Sequence, residues 1–454
     1  MDTIFSIPVC DQYIIYSPLH TLVALVDACA LNQIHDGLQR GLPVSDVAYP
    51  IVEQLRMPVF DPEIRTGDIT NPVFLGVIPT RGCNLGCRYC DFVPPDNKQP
   101  VMSLSLARQT VDAYLDLLTA AGRRHAEVHF FGGEPFFAEE VVRFVVDYMA
   151  LRASHRGMTT HFEAITNGFY RNTVSQWIAD NFDTIILSLD GPAEIQEHHR
   201  PARNGRATFE TILRNAHIFS SGATELIIRT CITSATVSQM KDTAAWLARE
   251  LHPNAVCFET LTSSPLARAS NLYPPSPWDF AREFLAASQI LAEAGIDAVN
   301  STVNLDNLQT SFCPVGKDAL IVSPEGVVDA CYLLPKDWQR SNLNLRFGYV
   351  TAHGLELDYP ALQRIRDLTT AAKPLCHHCL CRYHCAGGCH VNHRDALVIG
   401  KFDNLCIQTR LITIANLLRR INQQELLETW MQDRQALEAT VMQPSDCLFE
   451  MERG

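Results

Sequence analysis

The sequence lacks long apolar runs and any broad excess of basic residues. No stretch of eighteen consecutive apolar residues occurs in the 454-residue chain, so we expect no helix that spans a membrane. Lys and Arg number 37 against 50 Asp and Glu, and the resulting net charge of −13 disfavours binding to nucleic acid or to an anionic membrane. A basic peptide remains compatible with this charge.

The start of the chain also lacks the marks of a secretion signal. Residues 1–10, MDTIFSIPVC, contain neither a basic segment nor a long apolar one. We therefore expect a cytoplasmic protein, where reducing conditions disfavour disulfides. In that setting the 16 cysteines are better explained as metal ligands.

Length and composition predict a folded protein of several parts. The chain is longer than most single domains, and its 47% hydrophobic and 19% charged content is typical of globular proteins. No internal repeat or low-complexity tract interrupts it. We expect four parts, at residues 1–70, 71–300, 301–410 and 411–454.

A regular alternation of strands and helices fills the second part. Six β-rich runs are predicted as strands at residues 73–78, 127–131, 161–165, 184–189, 225–232 and 255–259. Helical patterns lie between and after them, at residues 104–118, 138–151, 174–181, 209–219, 240–251 and 278–294. Such alternation predicts an α/β fold with a parallel sheet, whose chemistry gathers at the carboxyl ends of the strands.

The first and last parts are less regular. We predict a strand over residues 11–17 and helices over residues 19–31 and 44–55, followed by a linker that contains Pro58 and Pro62. The segment from Ile407 to Glu438 is predicted to be helical and amphipathic.

Three cysteines lie close together directly after the first predicted strand. Within RGCNLGCRYCD, Cys83, Cys87 and Cys90 have the spacing C-x3-C-x2-C. Three thiolates can hold three corners of a cubane iron–sulfur cluster, for which four cysteines would be the complete set. The iron without a thiolate could bind a cofactor. A zinc knuckle, or three unrelated thiols, is the alternative interpretation.

This loop, with Tyr89 before the last cysteine, resembles the signature of the radical S-adenosylmethionine (SAM) enzymes. The resemblance implies an open six-stranded partial barrel, (β/α)6 and TIM-like. It also implies that a [4Fe-4S] cluster on Cys83, Cys87 and Cys90 binds SAM. One electron, from an external donor of the flavodoxin or ferredoxin type, would then yield a 5′-deoxyadenosyl radical that removes hydrogen from a substrate.

Polar motifs at the ends of later strands extend the resemblance. GGEP follows the second strand, TNG the third and SLDGP the fourth, and an arginine comes shortly after. The family places SAM contacts at such motifs, where glycines allow close approach and charged groups meet the methionyl ammonium and carboxylate. The implied contacts are Gly132, Gly133, Glu134, Thr166, Asn167, Ser188, Asp190 and Arg200. For His198 and His199 a solvated or ribose-side role is expected.

A second set of cysteines lies further along the chain, at Cys313, Cys331, Cys376, Cys379, Cys385, Cys389 and Cys406. Their spacing resembles that of the SPASM module, which carries auxiliary clusters behind radical SAM cores. The segment between Cys389 and Cys406 is one residue shorter than the family spacing. The resemblance assigns a first auxiliary cluster to Cys313, Cys331 and Cys389, and a second to Cys376, Cys379, Cys385 and Cys406. The expected fold is then α/β, a partial barrel with a C-terminal iron–sulfur SPASM domain and a small N-terminal α+β extension. It would hold three [4Fe-4S] clusters.

Two alternatives concern these cysteines. Cys376, Cys379, Cys385 and Cys389 could instead form a zinc ribbon. If the clusters are present, the first auxiliary cluster has three cysteine ligands, and its fourth site is either open toward substrate or closed by a distant thiol. Cys257 and Cys10 are candidates, and Cys381 lies among the ligands of the second cluster.

The resemblance implies a role in modifying ribosomally made peptides or proteins. Sulfatase maturases of this family carry an acidic base directly after the cysteine that matches Cys331, where this chain has Tyr332. We therefore favour cross-linking (carbon–carbon or thioether) or a related C–H modification of a precursor peptide. A sulfatase-type maturase that forms formylglycine is the alternative, and a zinc-stabilised binding or scaffold protein is a third possibility. Residues 1–70 could be a winged-helix-like module for a leader peptide or a packing extension.

Overall fold

The computed structural model describes residues 3–59, 62, 70–92, 99–393 and 400–450. Its strands form two sheets. They are β1 Thr3–Val9, β2 Gln12–Ser17, β3 Leu22–Val26, β4 Leu75–Val77, β5 His125–Phe130, β6 Thr159–Thr166, β7 Thr184–Ser188, β8 Glu225–Ile232, β9 Ala255–Thr260, β10 Asp297–Val299, β11 Leu320–Val322, β12 Val327–Asp329, β13 Arg346–Thr351, β14 Gly354–Leu357 and β15 Asp446–Glu450.

The described helices follow the strands in alternation over the middle of the chain. They are α1 Ala28–Arg40, α2 Tyr49–Leu55, α3 Leu104–Ala120, α4 Glu139–Ser154, α5 Asn172–Asn181, α6 Ala193–His199, α7 Phe209–Ser220, α8 Met240–Glu250, α9 Pro265–Ala269, α10 Pro277–Glu293, α11 Pro335–Gln339, α12 Tyr359–Arg366 and α13 Pro374–His377, with three more over Asn404–Arg420, Gln424–Gln432 and Arg434–Val441. None of these helices has the length and apolarity needed to cross a membrane.

The larger sheet contains the predicted α/β core. Its order is β10-β9-β8-β7-β6-β5-β4-β11-β12-β13-β14, and β4 through β9 run parallel to one another. The six predicted strands and six predicted helices of this region are confirmed, with ends that differ by a few residues. The parallel α/β core is therefore as expected.

Side chains alternate between the two faces of these strands. In β5, Ala126, Val128 and Phe130 are fully buried in the main core, whereas Glu127 and His129 point to the opposite face. This period of two is what a strand covered by helices on one side requires. The other face is left for polar side chains inside the partial barrel.

Short strands extend the sheet beyond the six that were predicted. Strand β11 pairs in parallel with β4, with Ile321 opposite Gly76, and β12, β13 and β14 continue as an antiparallel meander. Runs of three residues such as β11 and β12 carry too little pattern to be recognised in a sequence. Their pairing brings Tyr332, the residue after Cys331, against Gly76 of the strand that precedes the cluster loop.

The smaller sheet corrects part of the N-terminal prediction. The helix predicted over residues 19–31 is wrong: Leu22–Val26 pairs with β2 as strand β3, and α1 begins only at Ala28. The carboxylate of Asp27 caps α1 by accepting a hydrogen bond from the Ala30 N–H at 2.7 Å. The apolar residues of β3 and of the start of α1, on either side of this cap, together fit the spacing of a single helix, which explains the error.

Other terminal elements also differ from expectation. The helix predicted over residues 44–55 starts at Tyr49, and strand β1 was missed. The predicted C-terminal helix is three helices, the first of which crosses the expected boundary at residue 410. Strand β15 then pairs with β1, which gives the sheet order β15-β1-β2-β3. Most of the expected linker after Pro58 lies outside the described residues.

The small sheet packs on both of its faces. Phe5 and Ile14 join the main hydrophobic core, whereas Ile15 packs in a separate core with Ile34 of α1 and Val52 of α2. One face therefore anchors the N-terminal segment to the rest of the chain, and the other holds its own two helices.

A buried ion pair fixes the segment that leads into β11. Asp318 accepts two hydrogen bonds of 2.7 Å from Arg366 at the end of α12, and both side chains are almost inaccessible. Asp318→Asn should lower the free energy of unfolding by about 3–5 kcal/mol, because it leaves the guanidinium buried without its counter-charge.

An exposed pair offers a matched control for this prediction. Asp306 also accepts two 2.7 Å hydrogen bonds, from Arg420, but its side chain is 81% exposed. Asp306→Asn should cost about 0–1 kcal/mol in urea-induced unfolding. Equal losses in the two variants would contradict the account.

Candidate active site

A cavity of about 650 Å³ opens at the carboxyl ends of the parallel strands. Cys83, Cys87 and Cys90 line it, as the position of their loop after β4 predicts. Of the eight implied SAM contacts, six also line the cavity: Gly132, Gly133, Thr166, Asn167, Ser188 and Arg200. Glu134 and Asp190 do not, and they lie behind its wall.

The surroundings of Cys83 suit a metal-bound thiolate. Its sulfur accepts contacts from the Leu85 N–H at 3.4 Å and from Asn167 Nδ2 at 3.6 Å. Burial raises the pKa of Cys83 to about 12, so the free thiol is neutral and iron must displace its proton. Amide donors directed at the sulfur stabilise the charge that the bound state carries.

The GGEP segment is fastened to the cluster loop through the main chain. Gly133 N–H donates to the Thr80 carbonyl at 3.2 Å, and Glu134 N–H donates to the Gly82 carbonyl at 2.9 Å. A Cβ atom at Gly133 would overlap the carbonyl groups of Arg81 and Gly82. Only glycine permits this approach, which keeps the second strand end against the cysteines.

Glu134 joins two strand ends. Its carboxylate accepts hydrogen bonds from Thr166 Oγ1 at 2.8 Å, from the Asn167 N–H at 2.7 Å and from the Phe136 N–H at 3.2 Å. Burial raises its pKa to about 7. The structure thus gives Glu134 a position that orients Thr166 and Asn167 at the cavity wall.

Asp190 is the centre of a buried hydrogen-bond network. Its carboxylate accepts from Tyr89 Oη at 2.7 Å, Arg200 Nη2 at 3.0 Å and the Cys231 N–H at 2.9 Å, and it contacts His199 Nδ1 at 3.1 Å. Burial opposes ionisation, but Arg200 and His199 hold the pKa of Asp190 well below its usual range. The expected solvated role of His199 is wrong, since this ring is 1% exposed.

Arg200 reaches from this network into the cavity. It lies over the Tyr89 ring, 5.4 Å from the centroid, and is close enough to Cys87 to lower the pKa of that thiol against the effect of burial. Its Nε is buried and has no hydrogen-bond partner within the described residues. An unpaired donor in a cavity wall fits an anionic ligand group such as a carboxylate.

Sequence reasoning missed several residues of the cavity wall. Arg229 and Cys231 of β8 and Glu259 of β9 all line it. Their signal was present, because alternate residues near the ends of parallel strands share the inner face. Glu259 is the acidic member of the described lining and accepts hydrogen bonds from Ser301 N and Oγ at 3.2 and 3.1 Å.

The remaining predicted ligands form two groups in the structure. In the first auxiliary group, Cys331 lies near enough to Cys313 and Cys389 for their charges to raise its pKa further, beyond the effect of burial. The second auxiliary group is Cys376, Cys379, Cys385 and Cys406, which line one small buried cavity together with Cys381. Because Cys389 lies with the first group, this grouping favours the two-cluster assignment over the zinc ribbon.

Polar neighbours suit the second auxiliary group to an anionic cluster. Arg410 Nη1 lies 3.4 Å from Cys379 Sγ, and a hydrogen bond from Cys381 together with the charge of Arg410 holds the pKa of Cys379 below its usual value. His393 Nε2 lies 3.3 Å from Cys406 Sγ and 3.0 Å from Asp403 Oδ1. Donors around the thiols stabilise their negative charge.

The candidate fourth ligands of the first auxiliary cluster lie elsewhere. Cys10 is exposed in the turn between β1 and β2, Cys257 donates to Glu259 at 3.3 Å, and Cys381 lies with the second auxiliary group. These positions favour an open fourth site, which stays a prediction.

Comparison with known proteins identifies the core. A family model described as the radical SAM superfamily matches residues 77–247, from the last residue of β4 to α8. This region is a radical SAM domain. The match covers the cluster loop and the strand ends that carry the predicted SAM contacts.

Curated relatives of the radical SAM domain include two kinds of maturating enzyme. The serine-type anaerobic sulfatase-maturating enzyme of Klebsiella aerogenes is 34% identical over 137 residues, which are 29% of this chain and 33% of that protein. The cysteine-type enzyme of Clostridium perfringens is 28% identical over 170 residues, 36% of this chain and 45% of that protein. The chain therefore spans less than half the length of these relatives.

Solved structures share the fold well beyond the radical SAM domain. Native anSMEcpe with bound AdoMet and Kp18Cys peptide has a TM-score of 0.60 at 19% identity, over 78% of this chain and 99% of that one. SuiB of Streptococcus suis, bound to S-adenosylmethionine, has a TM-score of 0.50 at 13% identity, over 86% and 95%. At these identities the likeness establishes the fold.

The free donor of Arg200 generates a prediction about SAM binding. Arg200→Ala removes a charge-assisted contact in the cavity wall and should weaken SAM affinity by about 1.5–3 kcal/mol, roughly tenfold to a hundredfold. Equilibrium dialysis of the reconstituted protein measures it. Arg206→Ala, at an exposed position shortly after Arg200, is the control. Equal affinities in both variants would remove Arg200 from the site.

Proposed function

We propose that this radical SAM enzyme removes a hydrogen atom from a side chain of a peptide or protein. We further propose that it holds two auxiliary iron–sulfur clusters in its C-terminal part. The observation that carries the proposal is the grouping of ten cysteines into three sets, one at the strand ends and two in the C-terminal part. A single zinc site would need only four of them.

The chain's own residues supply binding and orientation. When bound on Cys83, Cys87 and Cys90, the cluster supplies the electron that cleaves SAM. Asn167 orients Cys83 by its amide contact, and Ser188 presents a hydroxyl to the cavity. Arg200, whose guanidinium is held in place by Asp190, would pair with the carboxylate of SAM.

For the substrate we infer oxidation of a serine or cysteine side chain, as in sulfatase maturation. Two observations support this choice over cross-linking, which the sequence alone favoured. The curated relatives named above are sulfatase-maturating enzymes, and the shared fold extends over more than three quarters of the chain. The likeness to a peptide-bound structure supports a peptide or protein as partner.

The residue after Cys331 still argues for a difference in mechanism. The Tyr332 ring packs on Phe131 with centroids 4.7 Å apart, and its hydroxyl is buried beside Gly76. Burial raises the pKa of Tyr332 well above its usual value, so the phenol keeps its proton and cannot act as the base. A serine side chain that becomes an aldehyde would lose a hydrogen atom to the 5′-deoxyadenosyl radical, an electron to an auxiliary cluster, and a proton. A cysteine side chain would lose the same three and give a thioaldehyde, which water converts to the aldehyde with release of hydrogen sulfide. Glu259, in the cavity wall, is our candidate for accepting that proton.

Cross-linking of a precursor peptide is the second candidate, and the N-terminal sheet favours it. In the described part of the chain, β3 pairs with β2 on one edge and with no strand on the other. Val23, Ala24 and Leu25 on this edge strand are partly exposed. An extended peptide can add to such an edge through main-chain hydrogen bonds. We propose that the N-terminal part, residues 1–70, is a module for binding a leader segment.

A trapping experiment separates the two candidates. Anaerobically reconstituted enzyme is incubated with SAM, dithionite and peptides that span the active-site serine or cysteine of a sulfatase. We expect 5′-deoxyadenosine and a peptide aldehyde that reacts with a hydrazide probe. A cross-linked product would be resistant to hydrazide, so turnover without a trappable aldehyde would sink the sulfatase-type assignment.

The cluster loop provides the control for this experiment. The Cys83→Ala, Cys87→Ala and Cys90→Ala triple variant should form neither product nor 5′-deoxyadenosine, because it lacks the thiolates that hold the SAM-binding cluster. Reductive cleavage of SAM by the triple variant would contradict the proposed role of this loop. Glu259→Gln should retain 5′-deoxyadenosine formation while losing most of the aldehyde.

A further inference from the structure

A lysine lies buried between the two auxiliary groups of cysteines. Lys373 precedes α13 and is 5% exposed. Cys376 and Cys385 of the second auxiliary group are near enough to act on its charge, and so are Cys313 and Cys389 of the first. A single ammonium therefore faces both sets of thiols.

Main-chain carbonyls hold this ammonium. Lys373 Nζ donates to the Gly387 carbonyl at 2.9 Å and to the Gly388 carbonyl at 3.3 Å. These glycines lie in the link from Cys385 of one group to Cys389 of the other. A Cβ at Gly387 would lie 2.8 Å from Nζ, so a side chain there would displace the lysine.

The left-handed backbone of this link turns its carbonyls inward. Ala386, Gly387 and Gly388 have φ values of 46°, 77° and 64° in succession. Such conformations are costly for alanine and easy for glycine. The link is thus shaped around the lysine and around the two cysteines that it joins.

Among the residues that the structure describes, no carboxylate neutralises Lys373. Across the described residues, no Asp or Glu lies within ion-pair distance of its Nζ. A buried ammonium without an anionic partner is costly, and burial lowers its pKa while the thiolates oppose that effect. The negative charge of two iron–sulfur clusters on the neighbouring cysteines is the counter-charge that the structure offers.

We propose that Lys373 is a positioning residue that raises the reduction potentials of both auxiliary clusters. The inference rests on the proposed function, which places clusters on these cysteines. One added electron makes a cluster more negative, and a fixed cation nearby stabilises that reduced form. Because Lys373 faces both groups, its charge acts on the two potentials together.

Other cations act on a single group each. Lys317 affects Cys313 of the first auxiliary group, and Arg410 lies 3.4 Å from Cys379 of the second. Lys317 also donates to Gln309 Oε1 at 2.6 Å. Lys317→Gln is therefore a matched variant that removes a similar charge near one cluster only.

The test is a redox titration followed by electron paramagnetic resonance. The background is the triple variant Cys83→Ala, Cys87→Ala and Cys90→Ala, so that only the auxiliary clusters give signals. Lys373→Gln keeps a donor for the glycine carbonyls and loses the charge, and we expect both potentials to shift to more negative values. Lys373→Arg keeps the charge and should leave both close to the parent. Lys317→Gln should shift only the reduction potential of the first auxiliary cluster.

Iron and sulfide analysis distinguishes failure of this inference from failure of the proposed function. Full iron content with unchanged potentials in Lys373→Gln would overturn the inference and leave the clusters in place. Absence of clusters from the parent would overturn the proposed function. If Lys373→Gln loses iron and Lys373→Arg does not, the positive charge at this position is required, which supports the inference. Equal iron loss in the two variants would overturn the inference, because the shape of the side chain rather than its charge would then determine cluster retention.

Discussion

The pairing of β4 on both of its edges is the constraint from which the rest of the site follows. On one side β4 pairs with β5, whose end carries the GGEP segment, and on the other it pairs with β11, which leads into the auxiliary cysteines. The cluster loop leaves the end of β4 between them. A single three-residue strand therefore fixes where the SAM cavity lies relative to Cys331 and its group.

Buried charge is the second organising feature. Behind the SAM cavity, the ionised carboxylate of Asp190 is hydrogen-bonded to the side chains of Tyr89, His199 and Arg200. In the described part of the chain Lys373 has no such carboxylate, and the neighbouring cysteines would supply its counter-charge once they hold the proposed clusters. A charge removed from water needs a partner of opposite sign. For Asp190 the partners are amino-acid side chains, and for Lys373 the partner would be the ligand set of the proposed auxiliary clusters.

The sequence predicted what has strong local signals. The spacing of Cys83, Cys87 and Cys90, and the alternation of β4 through β9 with helices, were sufficient for the fold class and for the position of the cluster loop. The assignment of the other cysteines to two auxiliary clusters came from a resemblance and stays a prediction. Strands β11 and β12 were missed because three residues are too few to show a periodic pattern. Strand β3 was mistaken for helix because its apolar residues and those of α1, on either side of Asp27, together fit a single helical pattern.

The sequence also could not show which predicted site residues face the cavity and which lie behind its wall. Glu134 and Asp190 were assigned to SAM, yet each lies behind the cavity wall and orients the residues that line it. Nothing local in the sequence distinguishes a carboxylate that meets a ligand from one that holds its neighbours. Lys373 was identified only when the loop carbonyls were placed in space, whereas the position of Glu259 at a strand end was a signal that the sequence reasoning overlooked.

The central claim is that ten cysteines hold three clusters, and metal analysis tests it most directly. Anaerobically reconstituted protein should contain about twelve irons per chain, and the triple variant at Cys83, Cys87 and Cys90 should contain about eight. Mössbauer spectra should show cubane clusters in both. A stable content of about four irons together with bound zinc would contradict the account, because the C-terminal cysteines would then form a structural zinc site.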